Sequence, residues 1–552
     1  MFKSDLLLKF SIQSLLILII AFPFTGNSQT FTHQDTLRGS ITAERSWWDL
    51  THYDLSVKVD PENKFISGIN IIKFKVLEVN KVLQIDLQEP MKISKIIYEN
   101  AELPFRKYGN AWYVDFPQTL SIGEAKEINV YFEGNPQSAR NAPWDGGFSW
   151  KKDDTGKDFI ATSCQGLGAS IWWPCKDHMY DEPENMWIRV TAPDHLTAVA
   201  NGRLKKMEKH KNNTKTFHWY VLNPINNYGV NINIGDYVHF SEKYNGEKGI
   251  LDCDYYVLKY NLEKARIHFQ DVSMMLKAFE YWFGPYPFYE DGYKLVEVPY
   301  LGMEHQSSVT YGNKYLKGYL GRDRSKSGWG LKFDYIIIHE SGHEWFANSI
   351  TYKDIADMWI HESFTTYSEN LFLDFHFGKQ ASSEYVLGTR EEIKNDKPII
   401  GQYGVNQEGS GDMYAKGSNM LHTLRQLVND DEKWRELLRG LNKKYFHKVV
   451  TTQQIEKYLS DGSGINLQPF FDQYLRDVRI PVLAYVFDGE TVRYRWTNCA
   501  QDFEMKLRVV INNSEKWISP TTSWKTYQMG EKVVSLKIDP DFYVAGFNLT
   551  GK

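Results

Sequence analysis

A chain of 552 residues is too long for one hydrophobic core, so two to four domains are expected. Its 42% hydrophobic and 24% charged residues are ordinary globular values, and a formal charge of −5 gives no reason to expect nucleic acid as a partner. Four cysteines, Cys164, Cys175, Cys253 and Cys499, match no zinc-finger spacing and are too few for a disulfide scaffold. Cys164 and Cys175 are the only pair close in sequence, and the redox state of all four stays open.

The N-terminus reads as a signal peptide over residues 1–28. Lys3 and Lys9 flank an apolar run, Ser11 to Phe24, and Gly26-Asn27-Ser28 supplies small residues for cleavage. The protein is therefore expected to be exported, periplasmic or secreted, with no stable membrane anchor after cleavage. Residues 29–45 are polar and expected to be mobile. From Tyr53 the apolar residues alternate: Tyr53, Leu55, Val57 and Val59 form one face of a strand. Further strands are predicted at Ile69–Val76, Val82–Leu87, Ile93–Tyr98, Ala111–Phe116 and Ile128–Phe132, separated by turn signals such as Asp60-Pro61. Residues 46–238 thus read as an all-β sandwich or saddle-shaped sheet.

Near residue 262 the period changes. Leu262 to Phe283 reads as one amphipathic helix stopped by Gly284-Pro285. Helical patterns follow at Ser382–Lys394, Tyr414–Val428, Glu432–Tyr445, Thr452–Leu459 and Gln468–Leu475. They make 239–476 a mainly helical domain. The pattern returns to strands at Leu483–Phe487, Val492–Trp496, Lys506–Ile511 and Val534–Ile538, so 477–552 reads as a small β-sandwich.

The chemistry sits in residues 333–376. HESGH carries His339, Glu340 and His343, and Glu362 follows His343 after eighteen intervening residues. Histidines four apart on a helix share a face and can hold one Zn²⁺, while Glu340 can reach a metal-bound water without being a ligand. The segment reads as two helices, Phe333–Ser349 and one from about Trp359 to a stop at Gly378, joined by residues 350–353. Packed side by side, they would bring Glu362 to the metal as third ligand. Three protein ligands leave a fourth position open, as in a catalytic zinc site. Glu369, seven residues after Glu362, could orient a ligand histidine or be a surface carboxylate. Trp172-Trp173-Pro174 reads as packing rather than a sugar platform.

With these motifs the chain resembles the gluzincin aminopeptidases, the family of aminopeptidase N and the leukotriene epoxide hydrolase. The zinc motif matches throughout, Gly302-Met303-Glu304-His305 resembles the family's Gly-x-Met-Glu-Asn, and Tyr414-Ala415-Lys416-Gly417 matches its Tyr-x-Lys-Gly. The resemblance covers roughly residues 46–550. It implies a multidomain α+β fold with an N-terminal β saddle, a thermolysin-like catalytic domain and a C-terminal β-sandwich. It also implies one zinc held by His339, His343 and Glu362, with Glu340 as general base and Tyr414 as an oxyanion donor. Substrate contacts are implied at Glu304, which would read a free α-ammonium, at Gln165 from the β domain, and at Gly302 and Met303.

Two departures stand out: His305 replaces the family's Asn, and His361 replaces the Asn before the glutamate ligand. Many members also carry a large C-terminal helical roof, for which 552 residues leave no room, so a more open site is expected. The function implied is removal of N-terminal residues from peptides. The alternatives are an epoxide hydrolase or endopeptidase with the same zinc chemistry, or a peptide-binding protein that does not cleave.

Overall fold

The computed structural model describes residues 30–550; the expected signal peptide lies outside the described residues. In the N-terminal part, Trp48–Asp60 and Phe65–Val76 form the centre of an eight-stranded sheet. Trp48–Asp60 runs antiparallel to Phe65–Val76 and parallel to Asn185–Pro193. Its alternation follows the sequence pattern: Tyr53, Leu55, Val57 and Val59 are buried. A three-stranded sheet (Asn80–Asp86, Phe105–Tyr108, Ala111–Leu120) shares the same core. Four more strands, including Gly147–Lys152 and Asp158–Ser163, form a third sheet. In Asp158–Ser163 all residues after the first are buried, so no period-2 signal marked it in the sequence. It ends two residues before Gln165 and so carries the β-domain contribution to the cleft.

The stretch 30–46 corrects one expectation. It is docked, not mobile. Thr32 and Asp35 close a capping box on the helix His33–Gly39. Arg45 is fully buried, pairs with Asp86 at 2.7 Å, and donates to the carbonyls of Leu37, Arg38 and Ser40. One buried guanidinium therefore ties the polar segment to the sheet, a long-range pairing invisible to local composition.

Two strands, Tyr237–Gly246 and Gly249–Leu258, open a five-stranded mixed sheet completed by Tyr293–Glu297, Val309–Tyr311 and Gly302–Met303. The predicted helix 262–283 is two helices, Leu262–His268 and Gln270–Phe283. Phe269 between them packs its ring among Tyr255, Tyr311 and Tyr315, which takes it out of the helical register. The later helices are Lys379–Gly388, Ala415–Val428, Asp431–Lys444, Thr452–Ser463 and Gln468–Arg476. After Arg476 the chain forms a four-stranded and a three-stranded sheet.

Two cores result. One joins the catalytic helices to the C-terminal sheets, with Phe470 and Tyr474 in the same cluster as Leu483, Trp496 and Phe503. The other fills the N-terminal β region and takes in Val298, Tyr300 and Met303 from the catalytic sheet. The strand Gly302–Met303 thus lies where the two regions meet, and the Tyr300 hydroxyl donates to Thr162 O at 2.8 Å. Trp172 and Trp173 are buried in this core, as a packing role requires. All four cysteines are buried and unbonded. Among the described residues no helix is long and apolar enough to cross a membrane.

Arg45→Ala tests the docked segment. Removing one partner of a buried pair should cost about 3–5 kcal/mol in a urea titration, whereas a mobile segment would tolerate the change within about 0.5 kcal/mol.

Candidate active site

Asp334 starts the ligand helix. Its carboxylate caps Tyr335–Gly342 by accepting from Ile336 N and Ile337 N, and it also accepts from the Tyr311 hydroxyl and Asn313 Nδ2. The helix was expected to run to Ser349. Regular α-helix ends at Gly342, and Glu344–Ser349 is an irregular wide turn with non-helical dihedrals at Phe346 and Ala347. The break places the Phe346 carbonyl 3.0 Å from His343 Nδ1, so the distortion supplies an acceptor for that imidazole. The second helix is Trp359–Phe377, and Gly378 ends it with φ 89°. Glu362 lies in its first turn, where the helix dipole favours a carboxylate.

The two helices approach through glycine. A Cβ on Gly342 would lie 2.7 Å from Ser368 Oγ, so no larger residue fits between the ligand helices without displacement. Gly302 has the same role toward the cleft strand: its Cβ would lie 2.6 Å from Ile336 Cγ2. In the Tyr-x-Lys-Gly motif, a Cβ on Gly417 would meet Ser363 Oγ at 2.0 Å.

This packing brings His339, His343 and Glu362 together, with one donor atom from each within 4.8 Å of the others. Glu362 Oε2 lies 3.7 Å from His339 Nε2 and 3.4 Å from His343 Nε2. Donors at tetrahedral positions about 2.0–2.1 Å from zinc would stand about 3.4 Å apart. Glu362 Oε2 is buried without a hydrogen-bond partner, a lone pair that a cation would satisfy. The far ring nitrogens are occupied: His339 Nδ1 faces Glu369 Oε1 at 2.8 Å, and His343 Nδ1 faces Phe346 O and Thr365 Oγ1. Nδ1 therefore carries the proton and Nε2 presents its lone pair to the site. The residues present fit a zinc ion.

Glu369 is thus buried beside His339, not on the surface, and its second oxygen accepts from the Tyr385 hydroxyl at 2.6 Å. Against its burial, the neighbouring carboxylates of Glu362 and Glu369 push the His339 imidazole up to about 10. Against the same penalty, the two histidines hold Glu362 far below the usual carboxylate range. Without a metal, protons on the imidazoles balance the buried acid. Burial pushes Glu340 up to about 7.

Glu340 faces a cleft of about 690 Å³ that is also lined by Gln165, Gly302, Met303, Glu304, the three candidate ligands and Tyr414. Every site residue expected from the sequence is therefore on this one cavity. Gln165 Nε2 donates to Glu304 Oε1 at 2.7 Å and to Glu362 Oε1 at 3.0 Å, linking the β region to the catalytic helices. The Tyr414 ring stacks against His339 with centroids 6.0 Å apart. Burial, and then the Glu362 charge, keep its phenol protonated well above the usual range.

The two departures lie off the cleft. His305 is buried with Nδ1 3.3 Å from Thr310 Oγ1, and His361 Nε2 accepts from Tyr352 N at 2.9 Å. Other cleft residues went unnoticed in the sequence: Tyr319, Arg322, Arg324, Tyr335, Glu392 and Glu408. Tyr335, four residues before His339, was open to detection by helical spacing, and its ring stacks on His339 at 5.1 Å. Arg324 and Glu392 meet from 68 residues apart and left no local signal.

Comparison with known proteins agrees with this geometry. The profile of the Peptidase M1 N-terminal domain matches residues 50–228, and that of the Peptidase family M1 domain matches residues 268–474. The chain belongs to peptidase family M1. Human aminopeptidase B is 24% identical over 466 residues, which cover 77% of this chain and 65% of that protein. Leukotriene A-4 hydrolase of Xenopus laevis is 22% identical over 441 residues, or 75% of this chain and 68% of that protein. The chain thus spans about two thirds of the length of these relatives. The M1 zinc metallopeptidase of Deinococcus radiodurans, as a mutant bound to a Tyr-Ser-Ala substrate, has a similar fold. The TM-score is 0.65 at 20% identity, with 78% of this chain and 95% of that one covered.

Glu369→Gln should weaken zinc binding about 10- to 100-fold by loosening the His339 ring. Competition with a chromogenic chelator measures this without reference to activity.

Proposed function

We propose that this M1 family member is a zinc-dependent aminopeptidase that hydrolyses the N-terminal residue from peptides. The observation that carries the reading is the join between the Gln165–Glu304 pair and the candidate metal ligands. Gln165 bonds Glu304 and Glu362 at once, so an ammonium-binding carboxylate is anchored beside the zinc site. A carboxylate there can bind a free α-ammonium by charge-assisted hydrogen bonds and set the first peptide bond against the reacting groups. A continuing chain has no ammonium to offer and would bury Glu304 against an amide, which argues against endopeptidase action.

The remaining steps belong to the chain's own groups. His339, His343 and Glu362 would hold zinc, which when bound supplies a Lewis acid and lowers the pKa of water. Glu340 Oε takes a proton from the attacking water and returns it to the leaving amine. The Tyr414 hydroxyl donates to the carbonyl oxygen as it gains negative charge. Glu369 and the Phe346 carbonyl keep the imidazole rings oriented. Printed names of relatives support the reading, since they include aminopeptidase B and aminopeptidase N. Export to the periplasm or medium is part of the same proposal, supported by Lys3, Lys9 and the apolar run that follows.

Amino-acid arylamides, free and N-acetylated, test it with and without a zinc chelator. Free substrates alone should be cleaved, and both chelator and Glu340→Gln should abolish turnover. Equal cleavage of acetylated substrates would refute the role of Glu304. Tyr414→Phe should retain zinc and lose about a hundredfold or more in kcat; near-normal kcat would remove Tyr414 from the mechanism. Glu304→Ala should raise KM and relax the demand for a free N-terminus.

A further inference from the structure

The cleft lining carries charges of both signs. Around the candidate amine site stand Glu304, Glu362 and Glu408. Tyr319, Arg322, Arg324, Tyr335 and Glu392 line the same cleft. Arg324 is fully engaged there: its Nε and Nη2 donate to Glu392, and its Nη1 donates to the Tyr335 hydroxyl at 2.5 Å. Arg322 is exposed to the cleft and, among the described residues, its guanidinium has no ion pair and no hydrogen bond. Its neighbour Asp323 does not neutralise it, because that carboxylate accepts from Ser325 N and Gly328 N in its own loop.

Arg322 is nonetheless held in place through its backbone. Tyr319 and Arg322 exchange both backbone hydrogen bonds, at 2.9 and 3.0 Å, across a two-residue turn. Leu320 and Gly321 have φ of 50° and 82°, as a tight turn of this hand requires. Residues paired in this way project side chains to the same face, so the phenol and the guanidinium stand together on the cleft wall. Asn313 fastens the turn: it accepts from Leu320 N and donates to Gly318 O and to Asp334, the residue that caps the ligand helix. The turn and the histidine ligands are thus parts of one hydrogen-bonded frame.

We propose that Arg322 binds the C-terminal carboxylate of the substrate, so that the cleft selects dipeptides and tripeptides with both ends charged. The inference rests on the aminopeptidase reading above. The reach is consistent. The Tyr335 hydroxyl links Arg324 to His339 Nδ1, at 2.5 and 3.3 Å. Arg322 pairs across the turn with Tyr319, whose ring lies 5.3 Å from that of Tyr335, and the Tyr335 ring stacks on His339 at 5.1 Å. A peptide advances about 3.3–3.6 Å per residue, so a dipeptide or tripeptide is long enough to extend from the candidate metal ligands towards this turn. A carboxylate entering a cleft rich in acids is repelled unless a cation meets it, and a guanidinium can meet it with two parallel hydrogen bonds.

The test compares Leu-Leu and Leu-Leu-Leu with their C-terminal amides, each kcat/KM divided by that for leucine arylamide on the same protein. The wild-type chain should favour the free acids about tenfold or more. Arg322→Gln should reduce that ratio at least fivefold, and Arg322→Lys should restore part of it. A wild-type ratio near one, or an unchanged ratio in Arg322→Gln, overturns the proposal. If Arg322→Gln does not fold, the wild-type ratio alone decides. Loss of arylamide cleavage in the wild-type chain would instead refute the aminopeptidase reading, and this inference with it.

Discussion

The site depends on one buried carboxylate. Glu362 is almost wholly removed from water, and a charge so placed is stable only among donors and cations. His339 and His343 from one stretch and Gln165 from another surround it, while Glu362 itself lies on a third. Two of these stretches are helices that must approach closely, and the other follows a β-domain strand by two residues. Satisfying this one acid therefore ties the N-terminal region to the catalytic helices, beside the shared core and the Tyr300–Thr162 hydrogen bond. With a dication present the same cluster needs fewer protons, because the metal supplies the positive charge that the imidazoles otherwise carry.

Close approach is obtained by removing side chains at three points. Gly342 admits Ser368, Gly302 admits Ile336, and Gly417 admits Ser363. All three lie in the motifs that carry the candidate site residues, so these glycines act as spacers that set the separation of those residues. Around them, Asp334 has a double function. It caps the helix that bears the histidines and, through Asn313, anchors the turn that presents Arg322. Helix start and cleft wall are thus parts of one hydrogen-bonded unit.

Much of this was legible from local pattern. The alternation at Leu55, Val57 and Val59 is that of a half-buried strand, and the spacing of His339, His343 and Glu362 named a metal site before any coordinates. Where local reading failed, a distant partner had intervened. Arg45 found Asp86 and ordered a polar segment. Phe269 found an aromatic cluster and split a helix. His343 found the Phe346 carbonyl, and the helix broke to supply it. Asp158–Ser163 is covered on both faces and lost the alternation that marks a strand.

The sequence by itself determined which residue types could hold a metal, move a proton and bind an amine, because spacing along a helix and motif order are local properties. It also determined the succession of β, helical and β regions, since each has its own period. Only the tertiary structure decided that Glu369 is a partner of His339 rather than a surface acid, that His305 and His361 lie off the cleft, and that Arg324 is paired while Arg322, among the described residues, is not. Those outcomes depend on which side chains from remote segments reach one another first, and in a close-packed interior that is settled by packing across the whole fold.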